Sequence, residues 1–485
     1  MVWTQNINSD APVVHGMAYG GALYAGGWYT DPDSNTPLWR IEKRSESTGN
    51  LVTDFGTSGA AISNVVGEVM AFGANGDNFF AAGTDFAPGL DAEWRIEKRN
   101  LNSGGLISTF GINGVITENL SAGDDTITDI VLNADNNSLY VVGYDFTAGV
   151  NPEIRIERRD MDTGGLVGEF GTGGIITESP SGYGIPFAVT LDSGGFYVAG
   201  FDTGGTGGAD QWRIEKRELG SGALINGFGT GGVVTEYVSG GTGGNDIATD
   251  LRVNDSALYI IGATNAGLVT PRSWRIEKRN TTTGELFSDF GTGGAISETL
   301  GSGATPVSIV LDSTGLYVGG FVGQILLVGG FSINQKGGFE PRKEPILSVE
   351  DINDDPGDYY WRVEKRDLSS GALSANFGTD GVYIYNPNES KSDVDEIFDL
   401  AIDDNGLYIF GMSNTSFGQY LWMIQKLQFP DVVEVAAAST AAPEILPETG
   451  ADRGGGSNYS LIVAAIVTPI LLVGSALLIR SRSRV

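Results

Sequence analysis

Three groups of residues in this 485-residue chain have types and spacings that could do chemistry. The first is a register shared by successive apolar runs, occupied by His15, Val69, Asp129, Ala188, Asp250, Ser308 and Asp399. If those runs face one axis, Asp129, Asp250 and Asp399 could hold a cation, or supply the paired carboxylates of glycoside hydrolysis. They could equally accept hydrogen bonds from neighbouring amides, as buried carboxylates must. With only three acids among seven positions, the structural role is the expectation. The second group is Asp351, Asn353, Asp355 and Asp358, oxygen ligands in an acidic stretch that could hold Ca²⁺. An EF-hand-type loop, however, wants Gly at its sixth position and Glu at its twelfth, where this chain has Pro356 and Arg362. A solvated acidic loop is the default there. The third is an alternating Arg-Glu-Arg set, first met at Arg40, Glu42 and Arg44. An anion site is one reading of it, and mutual satisfaction of the three charges is the other.

Composition removes several classes of function. The chain has no cysteine, so disulfides, thiolate zinc sites and thiol nucleophiles are excluded. Its single histidine, His15, rules out multi-histidine metal centres. No cofactor is implied beyond the Ca²⁺ candidate. With 29 Lys and Arg against 60 Asp and Glu the formal charge is −31, which argues against a nucleic-acid partner.

The Arg-Glu-Arg set belongs to a repeat. Trp-Arg-Ile-Glu-Lys-Arg at Trp39 to Arg44 has further copies starting at Trp94, Ile154, Trp212, Trp274, Trp361 and, in degenerate form, Trp422. The spacings are 55, 60, 58, 62, 87 and 61 residues. In the first six copies a turn glycine follows at a fixed offset of ten (Gly49, Gly104, Gly164, Gly222, Gly284, Gly371) and a Phe-Gly pair at sixteen (Phe55, Phe110, Phe170, Phe228, Phe290, Phe377). Alternating apolar and polar residues, β-branched and aromatic enrichment, and Gly, Asp, Ser and Asn punctuation read as four short strands per copy. Seven such copies predict an all-β, seven-bladed β-propeller over residues 1–429, with an insertion at 321–360.

Counting strands locates the closure. The seventh copy runs from Trp422 straight into Phe429-Pro430 and lacks a fourth strand. Met1 to Ile7 aligns with Gly114 to Leu120, a fourth strand elsewhere, so the N-terminal segment is expected to complete the last blade and protect two edges. Period two puts Trp, Ile and Lys of the charged strand on one face and Arg, Glu, Arg on the other. The seventh copy, Trp422 to Leu427, keeps the first face and replaces every charge on the second. That joint loss favours mutual satisfaction.

The charged strand, the Ser/Thr-Gly-x-Leu that follows it and Phe-Gly-Thr-x-Gly at a period near 60 together resemble the bacterial delta-60 repeat family, over about residues 1–428. The resemblance implies a propeller and supplies no catalytic residues.

The end of the chain carries a second pattern. After an Ala- and Pro-rich linker at 430–445 come Leu446, Pro447, Glu448, Thr449 and Gly450, a polar spacer, an uncharged apolar stretch at 461–479, and Arg480, Arg482 and Arg484. Nineteen residues at about 1.5 Å each can cross a hydrocarbon core of about 30 Å, and the arginines would stay cytoplasmic. The ordered set at 446–485 resembles the cell-wall sorting signal of Gram-positive surface proteins. In that family a sortase cleaves at the bond matching Thr449–Gly450 and joins the threonine carbonyl to a cell-wall precursor. The implied partners are therefore a sortase, the wall precursor, the membrane through an apolar anchor helix, and an unknown surface ligand, protein or glycan. The implied location is the cell surface, wall-anchored; an uncleaved single-pass anchor with the propeller outside would carry the same span and charges. Met1 to Val14 has neither a basic nor an apolar leader region, so an in-frame export signal upstream of Met1 is expected.

Loop lengths distinguish the two ends of the ring. From the Gly closing each second strand to the next charged strand the distances are 12, 11, 11, 12, 12, 41 and 11 residues. The fourth-to-first connections vary too, and both sets fall on one rim, the candidate recognition surface. The leading expectation is a non-enzymatic adhesion, recognition or envelope protein. The alternative is a surface carbohydrate-active enzyme using two carboxylates.

Overall fold

The computed structural model describes residues 3–428 apart from 9–12, 32, 35, 87–91, 147–150, 181–182, 206–207, 240–243, 255–256, 265–271, 302–303, 324–330, 334–338, 342–358, 387–394 and 415–419. No α-helix occurs among the described residues. In each repeat, strands pair antiparallel in sequence order, as Thr126–Asn133, Ser138–Asp145, Glu153–Asp160 and Ile175–Glu178 do. The first two repeats share a sheet, because Ala60–Asn75 is one 16-residue strand that serves as the fourth strand of one and the first strand of the next.

The first strands of successive units lie side by side, from Val13–Tyr19 round to Asp395–Asp403, which packs against Val13–Tyr19 again. The result is a closed β-propeller whose first strands surround the axis. Its core is distributed between blades rather than central. Phe80, Trp94, Ile96 and Phe110 of the second blade, for example, pack with Ile127, Ile130, Leu139 and Val141 of the third. Five third-strand tryptophans, Trp39, Trp94, Trp212, Trp274 and Trp361, are fully buried in such clusters, and Trp422 is fully buried as well.

The last blade, Asp395–Asp403, Gly406–Asn414 and Tyr420–Leu427, takes its fourth strand from the chain start: Trp3–Asn8 pairs antiparallel with Tyr420–Leu427. The pairing differs from the sequence alignment by two residues. Gln5 was expected in the place of Glu118, but Ile7 stands opposite Trp422 as Glu118 stands opposite Trp94. A slip of two leaves every side chain on its original face, so the alternating pattern could not distinguish the two registers. It brings Trp3 to the first blade, where its indole N–H donates to the Glu46 carbonyl at 3.0 Å.

Each first strand also carries a register shift, at Val13/His15, Val69/Ala71, Ile127/Asp129, Pro186/Ala188, Ala248/Asp250, Pro306/Ser308 and Ile397/Asp399. Bulges bend a strand and re-aim its side chains. Here they recur at one level around the axis. In the sixth connection, Phe331–Ile333 pairs with Phe339–Pro341 in a hairpin that belongs to a separate compact unit.

Candidate functional site: the axial channel and the variable rim

The bulges fix the channel register. His15, Asp129, Ala188, Asp250, Ser308 and Asp399 pair with equivalent second-strand residues: Gly26, Val142, Ala199, Ile261, Gly319 and Phe410. In the second blade the equivalent residue is Ala71, opposite Ala82, and not Val69, which lies two positions away opposite Gly83. The cause is a turn of unequal length. Asp129 precedes Leu139 by ten residues, whereas Ala71 precedes Phe79 by eight, as in the other blades.

Each channel aspartate accepts two backbone amides. Asp129 accepts from Ile130 and from Val189 of the next blade, at 2.8 Å each. Asp250 accepts from Leu251 and Ile309 at 2.7 and 2.9 Å. Asp399 accepts from Leu400 and, across the ring closure, from Gly16 at 2.8 and 2.9 Å, with Ser308 donating to it at 2.8 Å. The aspartates thus clip blade three to four, five to six and seven to one. His15 lies against Asp399 at 3.2 Å. Arg252 pairs with Asp250 at 2.7 Å, and its charge also acts on Asp129 and Asp399. Burial pushes the Asp129 carboxyl up to about 6, against the opposing pull of Arg252. That value would suit proton transfer near neutrality, yet both oxygens are already held by amides.

A second acid set, missed in the sequence, sits four residues earlier in the same alternate blades: Asp125, Asp246 and Asp395, all fully buried. Asp125 accepts from the Leu120 and Ser121 amides and the Ser121 hydroxyl, and Asp246 from the Ser239 amide and hydroxyl. These bonds fasten fourth-to-first connections to the ring. The recurring Asp-x-x-x-Asp was the available signal.

The Arg-Glu-Arg sets are satisfied internally. Glu97 receives Arg95 and Arg99 on separate oxygens at 2.6 and 2.7 Å. The second arginine of each set also donates to the turn glycine five residues on, as Arg159 does to Gly164 at 2.9 Å. Its remaining nitrogen reaches the fourth strand of the preceding blade: Arg159 to Glu118, Arg217 to Glu178, Arg279 to Glu236 and Arg366 to Glu298. Where the seventh copy has Gln425 instead of Glu, the preceding fourth strand has Tyr385 in the glutamate's place, and Tyr383 donates to Gln425 at 3.1 Å. The fixed glycines are explained as well. Gly104 has φ +71°, and a Cβ there would lie 3.0 Å from the ring of Phe55 in the preceding blade.

The variable rim holds further acids, Asp210 and Glu396 buried and Glu68 half-buried. Burial raises Glu68 to about 7 and Asp210 to about 7, and burial with Asp395 beside it raises Glu396 to about 8. Among the described residues no group of three or more His, Asp or Glu side chains is arranged to hold a metal. The Ca²⁺ candidates Asp351, Asn353, Asp355 and Asp358 lie outside the described residues, as do Leu446, Pro447, Glu448, Thr449, Gly450 and the apolar stretch 461–479. Among the described residues no helix is long and apolar enough to cross a membrane.

No protein-family model matches the chain, and no curated protein matches it. Solved structures do. The β-propeller domain of the Trilobed protease from Pyrococcus furiosus is 9% identical at a TM-score of 0.42, covering 90% of this chain and 99% of that one. The quinohemoprotein alcohol dehydrogenase ADHIIG from Pseudomonas putida HK5 is 10% identical at 0.41, covering 96% and 80%. Drosophila Plexin A, solved with Semaphorin 1b, is 8% identical at 0.36, covering 87% and 86%.

Proposed function

We propose that this chain is a non-enzymatic surface protein, attached to the cell wall by a sortase, which presents its variable rim to a protein or glycan or serves in the envelope. The observation that carries the proposal is the ordered tail: Leu446 to Gly450, the apolar stretch 461–479 as an anchor helix, and Arg480, Arg482 and Arg484. Charge is partitioned in keeping with it. Residues 451–485 hold four Arg and one Asp, +3, which leaves −34 on residues 1–450. The likeness of the repeat to delta-60 propellers supports a propeller as the displayed part. The fifteen residues 431–445 reach at most about 50 Å, so the task is a short-range one.

A binding role is supported by the use already made of the charged groups. The Arg-Glu-Arg sets and the channel aspartates are each engaged in blade contacts, and placing a proton on such a carboxylate would break the contact. A second reading, a carbohydrate-active enzyme using paired carboxylates, draws on Asp129, whose burial holds its carboxyl near 6.

Two measurements test these readings. In a Gram-positive host, the chain behind a signal peptide is expected in the fraction released by wall hydrolase, and Thr449→Ala is expected to move it to the membrane fraction. Equal distribution of the two would overturn wall attachment. On a glycan panel, retention without product supports recognition. Product formation that disappears in Asp129→Asn supports the enzyme.

A further inference from the structure

Nine arginines are buried among the described residues, and eight of them pair with a carboxylate. Arg272 is the exception. It begins the third strand of the fifth blade, two residues before Trp274, where other copies carry Pro37, Ala92, Pro152, Asp210 or Tyr359. Only 6% of it is exposed, and among the described residues it makes no ion pair. Its hydrogen bond is to the hydroxyl of Thr305, at the start of the sixth blade, at 3.3 Å. A guanidinium has five N–H donors in a planar fork and stays charged, so burying it without an anion is costly. Burial lowers Arg272 only to about 10, so the cation persists at neutral pH.

Its surroundings belong to the variable rim. Third strands begin and first strands begin on that rim, so Arg272, Thr305, Tyr359 and Glu396 all lie at its level. Tyr359 is half-buried, interacts electrostatically with both Arg272 and Glu396, and its ring packs 5.9 Å from that of Phe321. Glu396 is 4% exposed, and among the described residues its Oε2 has no hydrogen-bond partner. A fork-shaped cation, two hydroxyls and an aromatic wall are complementary to a planar carboxylate on a small polar body.

We propose that Arg272, Thr305 and Tyr359 form a carboxylate-binding subsite on the rim between the fifth and sixth blades, fitted to a small carboxylate such as that of an acidic sugar. Arg272 takes the carboxylate through its fork, Thr305 and Tyr359 donate to the same group, and Glu396 stands next along the rim. The proposal names a ligand class for the recognition surface but does not depend on wall attachment. A negative result here leaves the fractionation test intact, and the reverse holds too.

Calorimetry of the full chain with acetate, D-glucuronate and D-glucose tests it. Acetate and glucuronate are expected to bind and glucose is not. Tighter glucuronate than acetate identifies an acidic sugar, and equal affinities identify a general carboxylate site. Arg272→Met is expected to weaken binding at least tenfold, while Asp162→Asn, on an exposed turn of the third blade, leaves it unchanged. Should Arg272→Met not fold, Thr305→Val and Tyr359→Phe are each expected to weaken binding about threefold or more, in line with loss of one hydrogen bond. Absence of carboxylate binding to the wild-type chain, affinity unaltered in these variants, or an experimental map with one of the chain's own carboxylates on the Arg272 guanidinium would overturn the proposal.

Discussion

At position 46 the chain departs from its own repeat. The equivalent residues are Leu101, Met161, Leu219, Thr281 and Leu368, whose carbonyls mostly accept a lysine or tyrosine from the preceding blade, as Leu101 accepts Tyr24 at 2.8 Å and Lys43 at 3.1 Å. The Glu46 carbonyl does the same for Lys426, but its buried carboxyl faces Asp403, with Asn405 donating to it at 3.0 Å. Burial first, and Asp403 next, raise its pKa. A group whose pKa is higher folded than unfolded adds stability below its unfolded value, and that contribution fades as pH climbs through the folded one. Glu46→Leu is therefore expected to stabilise the fold more at pH 8 than at pH 4, by about 1 kcal/mol at the higher pH in urea unfolding. A larger gain in acid would contradict this. Glu68, Asp129, Asp210 and Glu396 have the same sign, so the wild-type chain should lose stability between about pH 4 and pH 8. Glu396→Gln should flatten the upper part of that decline in a pH series of urea midpoints.

The third strand of each blade shows which features of an element can be read from sequence. Internal satisfaction of Arg-Glu-Arg was legible because the seventh copy gives up all three charges together. The outer partner was legible in principle too: Glu118, Glu178, Glu236 and Glu298 hold one place in the fourth strands, eight residues after the Phe of Phe-Gly, and Tyr385 stands in that place only where the next copy is uncharged. The first blade offers Ser63 at the equivalent place, and its hydroxyl bridges Glu97 and Arg99 at 2.8 Å. Other features gave no periodic signal. A turn longer by two residues and a two-residue register slip both preserve the faces, so neither Ala71 nor the seat of Trp3 could be placed by alternation. Arg272 was hidden for a different reason: an arginine beside a turn looks solvated until its burial is known. The element account makes a quantitative claim. Glu157→Gln leaves Arg155 and Arg159 without their central anion and should cost about 3–5 kcal/mol in urea unfolding, whereas Gln425→Ala should cost about 1 kcal/mol. Equal costs would mean that the charged sets contribute nothing particular to blade stacking.

For the whole molecule, the repetition of contacts matters more than any one of them. The amide of Gly56 donates to the Ser103 carbonyl at 2.9 Å, and the pattern recurs from Gly111 to Thr163 and from Gly171 to Ser221. Each blade therefore depends on its neighbour, and an open array would leave one apolar face of the first and last units in water. Closure is made by Trp3–Asn8 on Tyr420–Leu427, by Asp399 on Gly16 and by Arg40 over the Trp422 ring. It sets the strand ends that bear the variable connections on one rim. The chain has no native cysteine, so the seam can be tested by cross-linking. Asn8 stands opposite Leu421, whereas the register expected from sequence alignment would place Asn6 there. Oxidation of the Asn8→Cys, Leu421→Cys double variant should give one intramolecular disulfide in monomeric protein and a higher thermal midpoint, with Asn6→Cys, Leu421→Cys reacting far less. Cross-linking only between molecules, or equal yields from the two pairs, would contradict a ring closed by its first strand.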